Sequence, residues 1–468
     1  MGRKKPVCLD REREFRIEEL FFSTTDPRGV IQSGNDVFVR VSGYEEAELL
    51  GMPHSKIRHP DMPASVFRVF WDMLQSDKSI AAYVKNRAKD GEYYWVMAVA
   101  TPVQGGYLSV RLKPSSPQLA TVSEMYARVL ADEEAAAEEG LSKEGIVEVG
   151  LASLTKEIES LGFSDYVAFM QHSLAAESVS RQQQLPDSVP DRNASMPHAN
   201  EQVEARRILS DIEFNNAKCD ECLVEMLGAI SSLEHSNKNF LDACESMSEQ
   251  SDMISVVALN SNVSATTRTL EAISGELAAA EKDNRELLTR MVVSVDQVSQ
   301  SLSGLSFNIS VAALQSEIGS HFLQEIQASD ATPAVDNLIT LLAETDARLQ
   351  TLFEQLTHAG DWFRDLASLT DNLHRNAKTL RFIRMAGVTE ATQLPPGHAF
   401  AGLFDEVNAN IMATTEICTT LRDEIQDSQS VIRSLAATKS KLNDRLDQIR
   451  SQVPKLKDSV ESSSSANS

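Results

Sequence analysis

Three long runs of residues spaced alternately three and four apart, most of them apolar, fill the second half of the chain, and they constrain its fold more than any other feature. The first is Leu288, Met291, Val295, Val298, Leu302, Leu305, Ile309 and Ala312. The second is Val335, Leu338, Leu342, Thr345, Leu349, Leu352 and Leu356. The longest comprises Phe404, Val407, Ile411, Thr414, Cys418, Leu421, Ile425, Ser428, Ile432, Leu435, Lys439, Leu442, Leu446, Ile449 and Val453, of which Thr414, Ser428 and Lys439 are polar. Such spacing keeps one seam against a partner helix and predicts left-handed coiled coil. Each buried aliphatic side chain contributes roughly 1.5–3 kcal/mol, and ordering a residue costs a similar amount. A lone helix would therefore be marginal, so the seams predict pairing, expected as a parallel homodimer whose helices fold back at the breaks. Those breaks fall at 330–333 and at Leu394-Pro395-Pro396-Gly397. They divide a helical rod into segments 204–330 and 331–455, followed by a Ser-rich tail, 456–468, expected to be disordered.

The first part of the chain reads differently. Phe and Trp thin out after about residue 115, while strand-like segments crowd residues before it. Asp26-Pro27-Arg28-Gly29 and Lys89-Asp90-Gly91 are turn signals between apolar runs. Segment 80–87 alternates, with Ile80, Ala82 and Val84 on one face and Ala81, Tyr83, Lys85 and Arg87 on the other. Segment 92–100 is nearly all apolar, as a central strand requires, and Leu108, Val110 and Leu112 alternate with Tyr107, Ser109 and Arg111. Short helical stretches at 36–41, 45–50 and 63–74 separate two early strands from three late ones. This order predicts an α+β domain at 20–115, preceded by an arm, 1–19. An acidic helical connector, 116–179, and a flexible linker, 180–203, rich in Gln, Ser, Asn and Pro, would join it to the rod.

Several side chains of this domain invite a pocket. Asn86 shares its strand face with Ile80, Ala82 and Val84, so its amide points inward and needs a hydrogen-bond partner, either a heteroaromatic ring edge or a neighbouring backbone group. Asn35 precedes the first short helix, where an N-cap role accounts for it. Pro60 biases His59 to an extended conformation, which projects Arg58 and His59 from a short loop, and an Arg there can pair with a phosphate. Asp61 reads as a cap of the helix that starts near Pro63, and Phe67 and Trp71, four apart, share one face of that helix.

Five stretches match the PAS domain of bacterial aerotaxis receptors in order and spacing: Phe22-Ser23-Thr24-Thr25-Asp26; Asn35-Asp36-Val37-Phe38-Val39-Arg40-Val41-Ser42-Gly43-Tyr44; Arg58-His59-Pro60-Asp61-Met62-Pro63; Val84-Lys85-Asn86-Arg87; and Tyr94-Trp95-Val96. The resemblance covers roughly residues 15–115 and implies an antiparallel five-stranded sheet with flanking short helices. It also implies that the domain binds FAD, whose redox state reports oxygen or respiratory energy status. Carried over, Asn35, Arg58, His59, Asp61 and Asn86 are the flavin-pocket candidates, with Phe67 and Trp71 as packing neighbours. The family usually has Trp six residues before the Asn86 position, where this chain has Ile80. Haem is the competing cofactor, although nothing singles out His54 or His59 as an axial ligand.

The remaining features narrow the function class. Net charge is -24, from 44 basic and 68 acidic residues, which opposes nucleic-acid binding. No run approaches the length of a membrane span and no secretory signal is visible. Cys8, Cys219, Cys222, Cys244 and Cys418 are odd in number and scattered, as expected in a reducing compartment, so a cytoplasmic protein is expected. Cys219-Asp220-Glu221-Cys222 lacks the second ligand pair of a structural zinc site. No phosphate-binding loop, nucleophile motif or histidine-kinase phosphoacceptor box is present, so an enzyme is not expected. Ile254-Ser-Val-Val-Ala-Leu-Asn260-Ser-Asn262-Val263 echoes Ile309-Ser-Val-Ala-Ala-Leu-Gln315-Ser-Glu317-Ile318. Both resemble the Ala-Leu-Asn-Ala-Ala-Ile-Glu tip of methyl-accepting chemotaxis receptors, without its Gly-Arg-Gly-Phe continuation. The expected function is a cytoplasmic aerotaxis- or energy-taxis-type transducer that relays a PAS-domain state through its rod to a chemotaxis kinase and coupling protein. The alternative is a non-catalytic coiled-coil scaffold or regulator whose PAS domain binds haem, another small ligand or a protein.

Overall fold

A computed structural model describes residues 8–185, 200–328, 332–394 and 400–466. The centre of the expected linker, 186–199, and parts of the two expected breaks, 329–331 and 395–399, lie outside them. The amino-terminal domain is one antiparallel sheet of five strands: β1 (Phe21–Thr25), β2 (Ile31–Gly34), β3 (Ile80–Arg87), β4 (Tyr93–Val103) and β5 (Gly106–Leu112). Their spatial order is β2-β1-β5-β4-β3. Between β2 and β3 lie α1 (Asp36–Ser42), α2 (Glu46–Leu49), a 3-10 turn (His54–Ile57) and α3 (Ala64–Gln75). Asn35 caps α1, its side chain accepting the Phe38 amide, and Gly43 ends it in a left-handed conformation with φ 72°. β4 is almost wholly apolar because both faces of the sheet are covered.

The register places Asn86, Ala98 and Arg111 on one face, with α3 against it, and Tyr83, Met97 and Leu112 on the other. The second face is covered by α4 (Gln118–Glu138), where Trp95 meets Tyr126, and by α6 (Tyr166–Gln184), where the Tyr83 hydroxyl donates to Glu177 at 2.6 Å. Glu177 also accepts the Ser115 and Ser116 amides, at 2.6 and 2.9 Å. The acidic run that contains Glu133 is not simply a solvated face. Glu133 accepts the amides of Ala64 and Ser65 at the start of α3, while α5 (Lys143–Ser160) packs beside that helix. Of the amino-terminal arm, residues 1–7 lie outside the described residues; beyond them Leu9 and Arg13 donate to the Gly91 and Tyr93 carbonyls, and Phe15 is buried.

Four long helices follow: α7 (Asn200–Ser264), α8 (Arg268–Ala328), α9 (Thr332–Ala391) and α10 (Phe400–Ala466). Within the segment 204–330 there are two helices, α8 restarting with the Thr267 hydroxyl accepting the Leu270 amide. One expectation needs correction. The expected disordered tail is helix as far as Ala466, and Leu456 is buried, so the apolar seam runs past Val453.

By contact the chain divides into one unit of Met1–Val224, Ser306–Gln350 and Lys441–Ser468, and another of Glu225–Leu305 and Thr351–Ser440. In the first, Asn216 of α7 donates to the Ser316 carbonyl of α8, and Arg445 of α10 to the Asn215 side chain. In the second, all four helices share one core, including Ile254, Leu277, Leu380, Phe404 and Ile411. Two of the three polar seam residues have partners there: Thr414 donates to Gln250, and Lys439 to the Phe353 carbonyl, while Ser428 Oγ is buried without one among the described residues. The helices that cover the seams therefore belong to the same chain, because the chain reverses at each break. The two echoed segments also differ. Residues 254–263 lead into the reversal before α8, whereas Ile309, Ala312, Gln315 and Ile318 are buried within the first unit. Among the described residues no helix is long and apolar enough to cross a membrane.

Candidate functional site

The inner face of the sheet and the helices above it enclose a cavity of about 140 Å³. Strand alternation supplies its floor, with Val84 and Asn86 from β3, Ala98 and Ala100 from β4, and Tyr107, Ser109 and Arg111 from β5. Helix α3 supplies its wall through Phe67, Phe70, Trp71 and Leu74, with Arg58 and His54 at the other side. Trp71 meets Tyr107 edge to face at 5.6 Å. Gly29, at φ 76°, lies so close that a Cβ there would stand 2.9 Å from the indole, so this wall needs glycine opposite it.

Four of the seven residues singled out from sequence meet in this cavity: Arg58, Phe67, Trp71 and Asn86. The Arg58 backbone bridges Asn86, which ties the end of the 3-10 turn to β3. Its guanidinium lies 4.1 Å over the Phe67 ring and donates to the Met62 carbonyl at 2.5 Å, and burial lowers its pKa. Asn86 is 2% exposed, and its amide has no hydrogen-bond partner among the described residues.

The other three do not line the cavity. Asn35 uses its whole side chain on backbone, donating to the Leu20 carbonyl and accepting from the Phe22 and Phe38 amides. His59 accepts the Asp61 amide at Nδ1 and stands edge-on to Tyr93, while burial lowers its pKa. Asp61 pairs with Lys85 at 2.6 Å. These contacts pin the loop to β3. Ile80 is buried on the cavity face of β3 but does not reach the lining.

Arg111 and His54 were not among the sequence candidates. Arg111 is 4% exposed, and its Nη2 donates to Ser23 Oγ at 3.0 Å and to His54 Nε2 at 2.6 Å. Because arginine only donates, His54 accepts at Nε2 and is the neutral tautomer. Burial first, and then the Arg111 charge, hold the His54 pKa well below its ordinary value. Burial also pushes Arg111 down to about 10. Its Nη1 is buried with no hydrogen-bond partner among the described residues. The signal for Arg111 in sequence was its parity with Tyr107 and Ser109. On β5 the apolar residues pack outward against helices, and the polar-looking face lines the cavity.

Polar groups also cross from the outer face to the long helices of the same unit. Arg348 of α9, itself buried, donates to Ser79 at 2.7 Å and to Thr101 at 3.1 Å, and lies 3.5 Å from Glu344. Arg181 of α6 pairs with Glu317 of α8 at 2.5 Å, and Phe22 of β1 meets Phe322 of α8 at 4.7 Å. Cys219 and Cys244 are buried with pKa pushed up to about 12, so they remain thiols. Among the described residues no group of three or more His, Cys, Asp and Glu gathers as a metal site.

Residues 32–109 match the PAS fold family. Over 126 residues the chain is 37% identical to the aerotaxis receptor of Escherichia coli, covering 26% of this chain and 25% of the receptor. Over 82 residues it is 30% identical to the biofilm dispersion protein BdlA of Pseudomonas aeruginosa, covering 17% of this chain and 20% of BdlA. A solved PAS domain from Colwellia psychrerythraea is 17% identical, covers 20% of this chain and 85% of its own, and has a TM-score of 0.18. The chain thus matches about a quarter or less of the length of these curated relatives. Its amino-terminal domain has the PAS fold and is similar in sequence to the corresponding part of the aerotaxis receptor.

Proposed function

We propose that this PAS domain holds FAD in its cavity and passes the redox or oxygen state of that flavin to the long helices, in a cytoplasmic aerotaxis- or energy-taxis-type transducer. The observation that carries the reading is the asymmetry of the sheet. One face offers a cavity with an aromatic wall and uncommitted donors, and the other is tied by buried polar contacts to α6 and α9 and by an aromatic pair to α8. The residues fit the chemistry of a flavin ring. Asn86 would supply hydrogen bonds to its polar groups, Phe67 and Trp71 would supply aromatic surface, and Arg58 would supply a cation. The volume fits one ring: an engineered apolar cavity of about 150 Å³ takes benzene. A tricyclic flavin therefore enters only as the α3 wall yields. When bound, FAD supplies an electron store whose state follows oxygen or respiration.

The chain's own residues carry the remainder. Ala100 lines the cavity, and the next residue, Thr101, points the opposite way and accepts from Arg348. A displacement of β4 by the ligand is thereby felt at α9 one residue later. At the reversal before α8, Met253, Val256, Leu259 and Val263 form an exposed apolar stripe on α7, the surface this reading assigns to a chemotaxis kinase and its coupling protein. Because the seams are covered within the chain, a homodimer would use other faces of the helices.

An absorption spectrum of the aerobically purified full chain, before and after reduction, tests the reading. Flavin bands that bleach on reduction, with released ligand that chromatographs as FAD, are expected. A colourless protein that stays empty after reconstitution with FAD contradicts it, and a Soret band would assign the cavity to haem.

A further inference from the structure

The cavity contains a buried cation without a counter-charge. Arg111 is held by two neutral acceptors, Ser23 Oγ and His54 Nε2, and Nη1 has no partner among the described residues. Arg58 is a second guanidinium in the same lining, and the lining includes no carboxylate. Acidic residues are not scarce, since the chain has 68 of them against 44 basic ones. An uncompensated buried charge costs several kcal/mol, and a hydrogen-bonded anion is the partner that offsets it. The neutral His54 matters as well. By accepting from Arg111 it orients the guanidinium without cancelling its charge. The α3 wall is mainly aromatic and the strand floor partly aliphatic, and the space is that of a single ring.

We propose that Arg111 makes this cavity selective for a flat ring with a negatively charged edge, an aromatic carboxylate being the simplest form. The inference rests on the reading that the cavity is the ligand site, and it adds that the ligand is chosen for its charge. A free aromatic acid and the pyrimidine edge of a flavin in its reduced, anionic form share this chemistry.

Calorimetric titration of the full chain with benzoate and with benzamide, its neutral counterpart, tests the proposal, with FAD and riboflavin titrated in parallel. Benzoate is expected to bind roughly ten- to a hundredfold more tightly than benzamide, the range of a charge-assisted hydrogen bond. Arg111→Met is expected to abolish that preference while benzamide still binds, and Arg111→Lys to retain part of it. Equal affinity of the wild-type chain for the two compounds overturns the proposal without requiring a folded variant. A preference that survives in Arg111→Met also overturns it. Binding of FAD and riboflavin, with benzoate rejected, leaves the cavity a flavin site and removes the anion selectivity. Failure of all four compounds to bind removes both readings.

Discussion

The two faces of one sheet treat buried arginines differently. On the outer face Arg348 meets Ser79, Thr101 and Asn308 and has Glu344 near it, while Glu177 collects the Tyr83 hydroxyl and the Ser115 and Ser116 amides. On the inner face Arg111 has neutral acceptors and an unpartnered Nη1, and the Asn86 amide is uncommitted among the described residues. Buried polar groups left unpaired are costly, and buried charges more so. On the outer face Arg348 has a carboxylate beside it and only its Nε unpartnered among the described residues, whereas the lining around Arg111 includes no carboxylate, so the inner face is the one completed by a ligand.

The largest effect that would break this comparison is expected at Glu177. Glu177→Ala strands several buried donors at roughly 1–3 kcal/mol each, so a loss of about 3–5 kcal/mol in denaturant unfolding is predicted. A loss below about 1 kcal/mol would show that this carboxylate does not secure the outer face. Arg348→Leu should be milder, at about 1–3 kcal/mol, because its hydrogen-bond partners are neutral hydroxyls and an amide, and Glu344, 3.5 Å away, keeps some contact with water. It should leave the affinity of the cavity for FAD unchanged, and a parallel fall in affinity would mean the faces are not separable.

The third prediction is a pH effect. Burial beside Arg111 depresses the His54 pKa, so the unfolded chain takes up that proton first as pH falls. The His54 contribution is complete above the unfolded value of about 6.5 and declines below it, by at most about 1.4 kcal/mol per pH unit. His54→Gln should flatten the stability profile below that pH. His59 and His172 are displaced in the same direction, so part of the slope should remain. An unchanged slope would mean His54 is not held neutral. The smallest effect is expected at Arg111 itself. Arg111→Met should change the stability of the ligand-free chain by less than about 1 kcal/mol, or raise it, since replacing a buried charge by an apolar group of similar volume is often neutral or stabilising. A loss matching that of Arg348→Leu would make Arg111 a structural pin.

Much of this was legible in the sequence. Parity put Asn86 on the inner face, the heptad runs marked the long helices, and the Pro-containing breaks marked two of the reversals. Arg111 was hidden because alternation identifies a face, not what covers it. Leu108, Val110 and Leu112 look like the core side, and they are, but the core they join lies under the helices rather than around the cavity. The reversal between α7 and α8 has neither Gly nor Pro, and its only local mark is the Thr267 cap. His59 and Asp61 sit beside Arg58 in sequence, yet the loop turns them toward Tyr93 and Lys85. Neighbourhood in a motif does not fix the direction of a side chain.

The central claim is that the inner face binds and the outer face transmits. Hydrogen exchange of the full chain, with and without saturating FAD, tests it most directly. The account predicts slower exchange in β3, β4 and β5 together with altered exchange in α9 around Arg348, and in Arg348→Leu the first should persist while the second disappears. Protection confined to the strands in the wild-type chain, with α9 unmoved, would contradict it.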